Sequence, residues 1–292
     1  MNRLPTYVII GAMRSGTTAL NSYLRQHPDI ATSTTKEVHY FDNSYDLGLD
    51  WYRSHFPDSE NTDAVGEATP NYMFSPLALG RLKETLPEVK LIALLREPAD
   101  RAYSHYWHDR TRDKTDADFE ETVKIELAGR AEGDAAYVAR GRYREQIENV
   151  LELFDRRSLL VQFFEDMSHN PNEVYAEVCR FIGVDDTFRP PTLGSPVNSF
   201  TEFRSLKLRR WAGRFPPKLR SVVGRINSRT SGTYPAMTDS VRGLLNEEFA
   251  GANEGLNDLI GIRPPWDSWN LSPQVRRPAG QGRAEPGVPD DE

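Results

Sequence analysis

The stretch Gly11-Ala-Met-Arg14-Ser15-Gly16-Thr17-Thr18 carries the residue types that hold phosphate. Its spacing matches the phosphate-loop pattern G-x-x-x-x-G-K-[ST], except that Thr17 stands where the lysine belongs. The anion-binding physics survives that change. Two glycines permit a tight backbone, the first N–H groups of a following helix present a positive dipole end, and Thr17 and Thr18 add hydroxyl donors. Arg14 brings a fixed positive charge. A nucleoside-triphosphate hydrolase on such a loop also needs its lysine and an aspartate that carries Mg²⁺ at the end of a later strand. Here the best candidate strand ends in Arg96, which repels a metal and attracts a second phosphate. The expectation is a phosphorylated donor bound without magnesium, and the alternative is an ordinary glycine-containing turn.

The elements that must position these groups follow from pattern. Tyr7–Ile10 reads as a buried strand and Thr17–Gln26 as a helix that stops at His27-Pro28. Ser75-Pro76 supplies a cap and a first-turn proline for a helix over Pro76–Leu86. Lys90–Leu95 is apolar on both faces, as a central parallel strand should be. Helices are expected at Pro98–Arg112, Phe119–Ala128, Tyr143–Phe154, Asn170-Pro171 to Ile182, and Asp239–Leu259, with a strand at Ser158–Phe163. This alternation predicts an α/β fold, a P-loop-type sandwich with a central parallel sheet flanked by helices. One domain is expected over 1–270, with 271–292 a disordered C-terminal tail of Pro, Gly, Arg and acid.

Composition narrows the function. With 38% hydrophobic and 27% charged residues, the chain has the balance of a globular protein with a core. No stretch approaches the ~20 apolar residues of a membrane span, and no signal-peptide pattern opens the chain. A net charge of −7 argues against general nucleic-acid binding. A single cysteine, Cys179, excludes an internal disulfide and a cysteine-cluster metal site, and it is expected in the core of its helix. A cytoplasmic location is expected.

Several motifs together are similar to one family. Arg14-Ser-Gly-Thr-Thr-Ala-Leu20, followed by His27-Pro28-Asp29, resembles the 5′-phosphosulfate loop of sulfotransferases that use 3′-phosphoadenosine 5′-phosphosulfate (PAPS). Lys36-Glu37-Val38-His39-Tyr40-Phe41-Asp42 resembles the K-E-x-H-F-F-D element of the heparan-sulfate-type, bacterial-like branch. Leu95-Arg96-Glu-Pro-Ala-Asp-Arg101-Ala-Tyr-Ser104 is similar to the 3′-phosphate motif, with its arginine and a serine eight residues on. Gly141-Arg-Tyr143 and Gly232-Thr-Tyr234-Pro235 sit where the family has a G-x-Y helix start and a late loop.

The resemblance implies roles. Ser15, Gly16, Thr17, Thr18 and Ala19 would bind the 5′-phosphosulfate, with Arg14 at the family's lysine position. Arg96 and Ser104 would bind the 3′-phosphate, joined by Ser231, Gly232 and Thr233 of the late loop. Glu37 would be the general base, and His39 would support it or contact the acceptor. Read by themselves, Glu37 is a loop carboxylate paired with Lys36, His39 a packed histidine, and Arg96 an ion-pair partner of Glu97 or Asp100.

This chain also departs from the pattern. Arginine does not give up its proton in a protein, so Arg14 stabilises a leaving phosphate without protonating it. Ala68, in Gly66-Glu67-Ala68-Thr69-Pro70-Asn71-Tyr72, stands where relatives often carry lysine. The late loop Ser231-Gly232-Thr233 lacks the usual lysine and arginine, which leaves it backbone contacts. The disulfide that Golgi relatives carry before that loop cannot form with one cysteine.

Between Phe203 and Arg229 lie Arg204, Lys207, Arg209, Arg210, Arg214, Lys218, Arg220, Arg225 and Arg229, with Phe203, Leu206, Leu208, Trp211 and Phe215 interleaved and no acid. The segment reads as a solvated helix face, a cover over donor and acceptor, or a peripheral contact with an anionic membrane. The aromatic residues Tyr40, Phe41, Tyr72, Tyr103 and Trp107 are candidates for an acceptor pocket.

The expected activity is transfer of a sulfuryl group from PAPS, without a metal, to a hydroxyl rather than an amine. The acceptor is a small molecule, a glycan or a glycolipid. Two rivals stand beside it, a P-loop nucleotide kinase or NTPase and a catalytically inactive PAPS-binding protein.

Overall fold

The computed structural model describes residues 3–57, 62–130, 136–195, 202–203, 228–229 and 235–266. Strand β1 (Tyr7–Gly11) is buried at every residue. That requires cover on both faces, so it lies in the middle of the sheet, paired in parallel with β3 (Ala64–Ala68) and β4 (Lys90–Leu95). β2 (Ile30–Thr32) and β5 (Leu159–Phe163) complete the parallel order β2-β3-β1-β4-β5. The carboxyl ends of all five strands therefore face one way, and the loops that leave them gather along one edge. A short antiparallel pair joins β6 (Glu202–Phe203) to β7 (Ser228–Arg229).

β2 and β3 were not legible as strands. β2 has three residues, too few for a period. β3 places Gly66 and Glu67 in its middle, a glycine and a charge that break an apolar run. Gly66 is required there, because a Cβ would stand 2.1 Å from Cζ of the buried Tyr7 ring.

The helices are α1 (Thr17–Leu24), α2 (Tyr40–Asn43), α3 (Gly48–Arg53), α4 (Pro76–Thr85), α5 (Pro98–Arg110), α6 (Phe119–Leu127), α7 (Tyr143–Leu153), α8 (Phe164–His169), α9 (Pro171–Ile182), α10 (Asp239–Ala252) and α11 (Leu256–Ile260). Alternation along the strands divides the core. Val8, Ile10, Leu91, Ala93 and Leu95 pack on one face with residues of α2, α3, α4, α7 and α11. Tyr7, Ile9, Ile92 and Leu94 pack on the other with α1 and α9, where Cys179 is fully buried. A further cluster joins α5, α6 and α10 around Tyr137.

Local signals start the helices as expected. Ser75 Oγ accepts from Ala78 N–H at 3.2 Å, and Glu97 Oε2 from Asp100 N–H at 2.7 Å. The last helix is a correction, since the expected run Asp239–Leu259 is two helices. Asn253, fully buried, leaves the helical path so that its side chain donates to Gly141 O at 3.0 Å and accepts from Arg144 N–H at 3.0 Å. Gly255 then turns through φ 79° into α11. The late loop 231–233, the basic stretch 204–227 and the tail 271–292 lie outside the described residues.

Candidate active site

The loop between β1 and α1 is the first wall of the site. Gly16, at φ 91°, caps α1 in a left-handed conformation, and a Cβ there would meet Met167 Cε at 2.7 Å and the Phe164 ring at 2.9 Å. No side chain among the described residues caps α1, so its first N–H groups are turned toward the loop. Ser15 is fully buried, and its Oγ has no hydrogen-bond partner among the described residues. Thr17 is buried, while Thr18 and Ala19 are half-buried on the first turn. An orphaned hydroxyl, a helix start and a loop too tight for side chains suit a bound anion.

Two arginines from elsewhere in the chain close on this loop. Arg96, at the end of β4, donates from Nη1 to Arg14 O at 3.3 Å and lies over the Phe164 ring at 4.7 Å. The bare ion-pair reading of Arg96 does not hold. Glu97 and Asp100 instead face Arg242, at 3.8 and 2.7 Å. Tyr143, at the start of α7, donates to Arg96 O at 2.9 Å and ties that motif to the strand end. Arg101, fully buried, donates to Met13 O at 3.5 Å and to Tyr137 O. Burial lowers its pKa to about 10, so it remains a cation at neutral pH. Nothing in the sequence alone assigns Arg101 a role, because burial of a helical arginine is a tertiary fact.

Arg14 has φ 71° and points its guanidinium at α5. Its Nε donates to Ser104 Oγ at 3.4 Å, and its Nη1 lies 2.8 Å from His108 Nδ1. Ser104 and His108 are one turn apart on one helix face. Arg112 Nη1 reaches the same Nδ1 at 2.7 Å. An arginine only donates, so this nitrogen is the acceptor and the ring is neutral. Its pKa is lowered to about 3, by burial first and then by Arg14, Arg112 and Lys114. The anionic charge of Glu37 acts on this ring in the opposite direction and more weakly. The loop after β2, which carries it, leaves the same edge of the parallel sheet as the loop after β1.

Glu37 and His39 both have φ 54°, a conformation that L-residues rarely adopt, and both are half-buried. Glu37 Oε1 lies 3.1 Å from Lys36 Nζ and Oε2 lies 3.7 Å from His39 Nε2. The facing His39 ring first, and Lys36 after it, outweigh burial and hold the Glu37 pKa down at about 2. His39 Nδ1 faces Asp42 Oδ2 at 2.9 Å, and Asp42 first and Glu37 second raise its pKa to about 9. Asn71 Nδ2 donates to the same Asp42 oxygen at 2.7 Å, and Arg140 Nη2 to Asn71 Oδ1 at 2.8 Å. At neutral pH the arrangement is a carboxylate beside an imidazolium, open on one side and locked on the other.

The structure thus brings Arg14, Ser15, Gly16, Thr17, Thr18, Arg96 and Ser104 together, with Glu37 and His39 at the same edge. Ser231, Gly232 and Thr233 lie outside the described residues. Of the aromatic candidates, Tyr40, Phe41 and Tyr72 are core, stacked edge-on or face-on with Tyr52 and one another; Tyr103 and Trp107 are half-buried. Sequence reasoning missed His108, Arg112 and Asn71. The i, i+4 spacing of Ser104 and His108 was the signal that pointed to the first.

The sequence and fold are similar to those of known sulfotransferases. The family model described as "Sulfotransferase domain" matches residues 4–209. Human "Bifunctional heparan sulfate N-deacetylase/N-sulfotransferase 3" is 30% identical over 283 residues, which is 92% of this chain and 31% of that protein. "Membrane-associated sulfotransferase kil1" of Dictyostelium discoideum is 46% identical over 106 residues, 35% of this chain and 22% of that protein. The chain spans less than a third of the length of these relatives. The crystal structure of a sulfotransferase from Alicyclobacillus acidocaldarius superimposes with a TM-score of 0.69 at 27% identity, covering 92% of this chain and 99% of that one.

Proposed function

This chain belongs to the sulfotransferase family, and we propose that it moves a sulfuryl group from PAPS to a hydroxyl of a small-molecule, glycan or glycolipid acceptor in one in-line step. PAPS supplies the activated sulfuryl group and a phosphate leaving group. The observation that carries the reading is the phosphate loop with Arg14 and Arg96 against it, at the sheet edge from which the Glu37 turn also leaves.

Each residue then has a task. The N–H groups at the start of α1, Ser15 Oγ, Thr17 and Thr18 hold the 5′ anion, with Gly16 and Ala19 leaving room for it. Arg14 neutralises the charge that develops on the leaving phosphate. Arg96 and Ser104 take the 3′-phosphate, and the buried charge of Arg101 adds to the field that both phosphates feel. Ser231, Gly232 and Thr233 join through the late loop. Glu37 accepts the proton of the acceptor hydroxyl as the new S–O bond forms. The reaction asks for positioning and charge stabilisation more than covalent chemistry, and base catalysis adds about 10² to 10⁴-fold.

The charge state of Glu37 is informative. A carboxylate held near pKa 2 is always ready to accept a proton but is a weak base. Lys36, the more exposed of its two cation partners, is the one an arriving acceptor can displace, and its departure strengthens the base. His39 stays, fixed by Asp42, and carries the positive charge that balances Glu37 before transfer.

An amine acceptor is a second reading, favoured by the N-sulfotransferase activity in the names of the heparan sulfate relatives. A cytoplasmic location is part of the same proposal. It draws support from a lone cysteine that is buried in α9, and cell fractionation tests it.

The test of the donor site is calorimetric titration with 3′,5′-adenosine bisphosphate beside ATP with Mg²⁺. Tight binding of the bisphosphate and weak binding of ATP support the assignment. Preference for Mg²⁺-ATP would move the chain to the kinase reading. Bisphosphate binding with no transfer to a panel of hydroxyl and amine acceptors would leave an inactive donor-binding protein.

A further inference from the structure

Glu67 is an ionisable residue in the middle of an inner strand and is fully buried. Such a carboxylate is costly unless hydrogen bonds satisfy it. Three hydroxyls do so: Tyr52 donates to Oε1 at 2.6 Å, Tyr72 to Oε1 at 3.3 Å and Thr69 to Oε2 at 2.7 Å. Those bonds work against the effect of burial, which nonetheless leaves the Glu67 pKa above its ordinary value.

The hydroxyls have second partners. A hydroxyl owns one hydrogen and two lone pairs, so one that gives its hydrogen to Glu67 turns its lone pairs outward. Tyr72 Oη then accepts from Tyr40 N–H at 2.9 Å and, at the outer limit of 3.5 Å, from Phe41 N–H. Thr69 Oγ1 accepts from His39 N–H at 3.5 Å. The backbone they grip begins at His39, two residues after Glu37, and both of these residues are held at φ 54°. Tyr52 adds a second hold, since its ring stacks on Tyr40 at 4.4 Å and 11°. Asn71, from the same stretch, fixes the His39 ring through Asp42.

We propose that Glu67 is a positioning residue for the transfer reaction: as a buried group that only accepts hydrogen bonds, it sets the donor direction of Thr69 and Tyr72 and so pins the Glu37–His39 turn. Glu67 touches neither donor nor acceptor. The inference rests on the reading of Glu37 as the base, and it gives a task to a stretch in which the family's lysine is replaced by Ala68. Ala68 is buried and carries no charge, so here the stretch contributes order, not a cation.

Glu67→Gln is the diagnostic change because it keeps shape and reverses polarity on one side. With its oxygen toward the two tyrosines, its NH₂ faces Thr69. Thr69 must then accept there, so its hydrogen loses the carboxylate that oriented it, and the lone pair that meets the N–H of His39 is no longer fixed in direction. In the full chain, amide hydrogen exchange at residues 39–41 should accelerate about tenfold or more, while β1 and β4 exchange as before. Binding of 3′,5′-adenosine bisphosphate should stay within about twofold, and turnover of an acceptor should fall about tenfold or more at unchanged donor KM. Tyr72→Phe, which keeps the ring, should free Tyr40 and Phe41 and leave His39 as it is; it carries the test if Glu67→Gln does not fold. Unchanged exchange at 39–41 would overturn the proposal, as would a freed turn with undiminished turnover. Failure of the sulfotransferase reading is a separate outcome, visible as absent bisphosphate binding in the unsubstituted protein.

Discussion

Arg14 Nη1 lies 2.8 Å from His108 Nδ1, so the arginine of the phosphate loop is held by a histidine on the neighbouring helix that must stay neutral to hold it. A lysine at position 14 would need no such partner. An arginine has a planar fork with a fixed direction, and the Ser104–His108 face of α5 supplies two acceptors for it. Donor affinity should therefore show coupling between positions 14 and 108. His108→Ala should weaken 3′,5′-adenosine bisphosphate about threefold to tenfold, and much less in an Arg14→Lys background. Equal losses in both backgrounds would show that the two residues act independently.

His39 should titrate near pH 9, with Asp42 the larger cause and Glu37 the smaller. Ring nitrogen shifts measured by NMR should show Asp42→Asn lowering this pKa more than Glu37→Gln does. The reverse order would mean that the 3.7 Å contact outweighs the 2.9 Å one.

Stability should follow the same couple. A raised histidine pKa contributes stability that is complete below its ordinary 6.5 and is lost as pH rises through about 9. A depressed carboxylate pKa contributes above its ordinary 4.5, and that is lost as pH falls through about 2. Both contributions are complete together only between those ordinary values. Thermal melts of Glu37→Gln against the unsubstituted chain should differ most there and converge toward either extreme.

Glu37→Gln should lower turnover by about 10² or more while leaving bisphosphate affinity nearly intact, because the amide keeps the shape and loses the base. Parallel calorimetry and rate measurements decide this. A comparable loss of donor affinity would place Glu37 in donor binding.

Arg96→Ala should weaken donors that bear a 3′-phosphate and barely affect adenosine 5′-phosphosulfate. Competition between the two donors reads this directly. If both respond alike, Arg96 serves the loop through Arg14 O, not the phosphate.

The local part of this protein was legible before any fold. Apolar runs at Tyr7–Ile10 and Lys90–Leu95, the Ser75-Pro76 and Asn170-Pro171 helix starts, and the loop between two glycines act over a few residues. They appear where they were expected. The motif residues Arg14, Glu37, Arg96 and Ser104 were also in hand. Three things needed the tertiary structure. β2 and β3 are strands because neighbours pair with them, not because of their own pattern. Asn253 ends a helix that its sequence would continue, because the start of α7 lies within reach of its side chain. The partners of the site's charges are likewise distant in the chain: Arg14 meets His108 and Glu67 holds the turn at His39 through two hydroxyls. Residue type and spacing set which groups can bind an anion or take a proton. Only packing decides which of them are desolvated, which way their hydrogens point, and therefore what charge they carry.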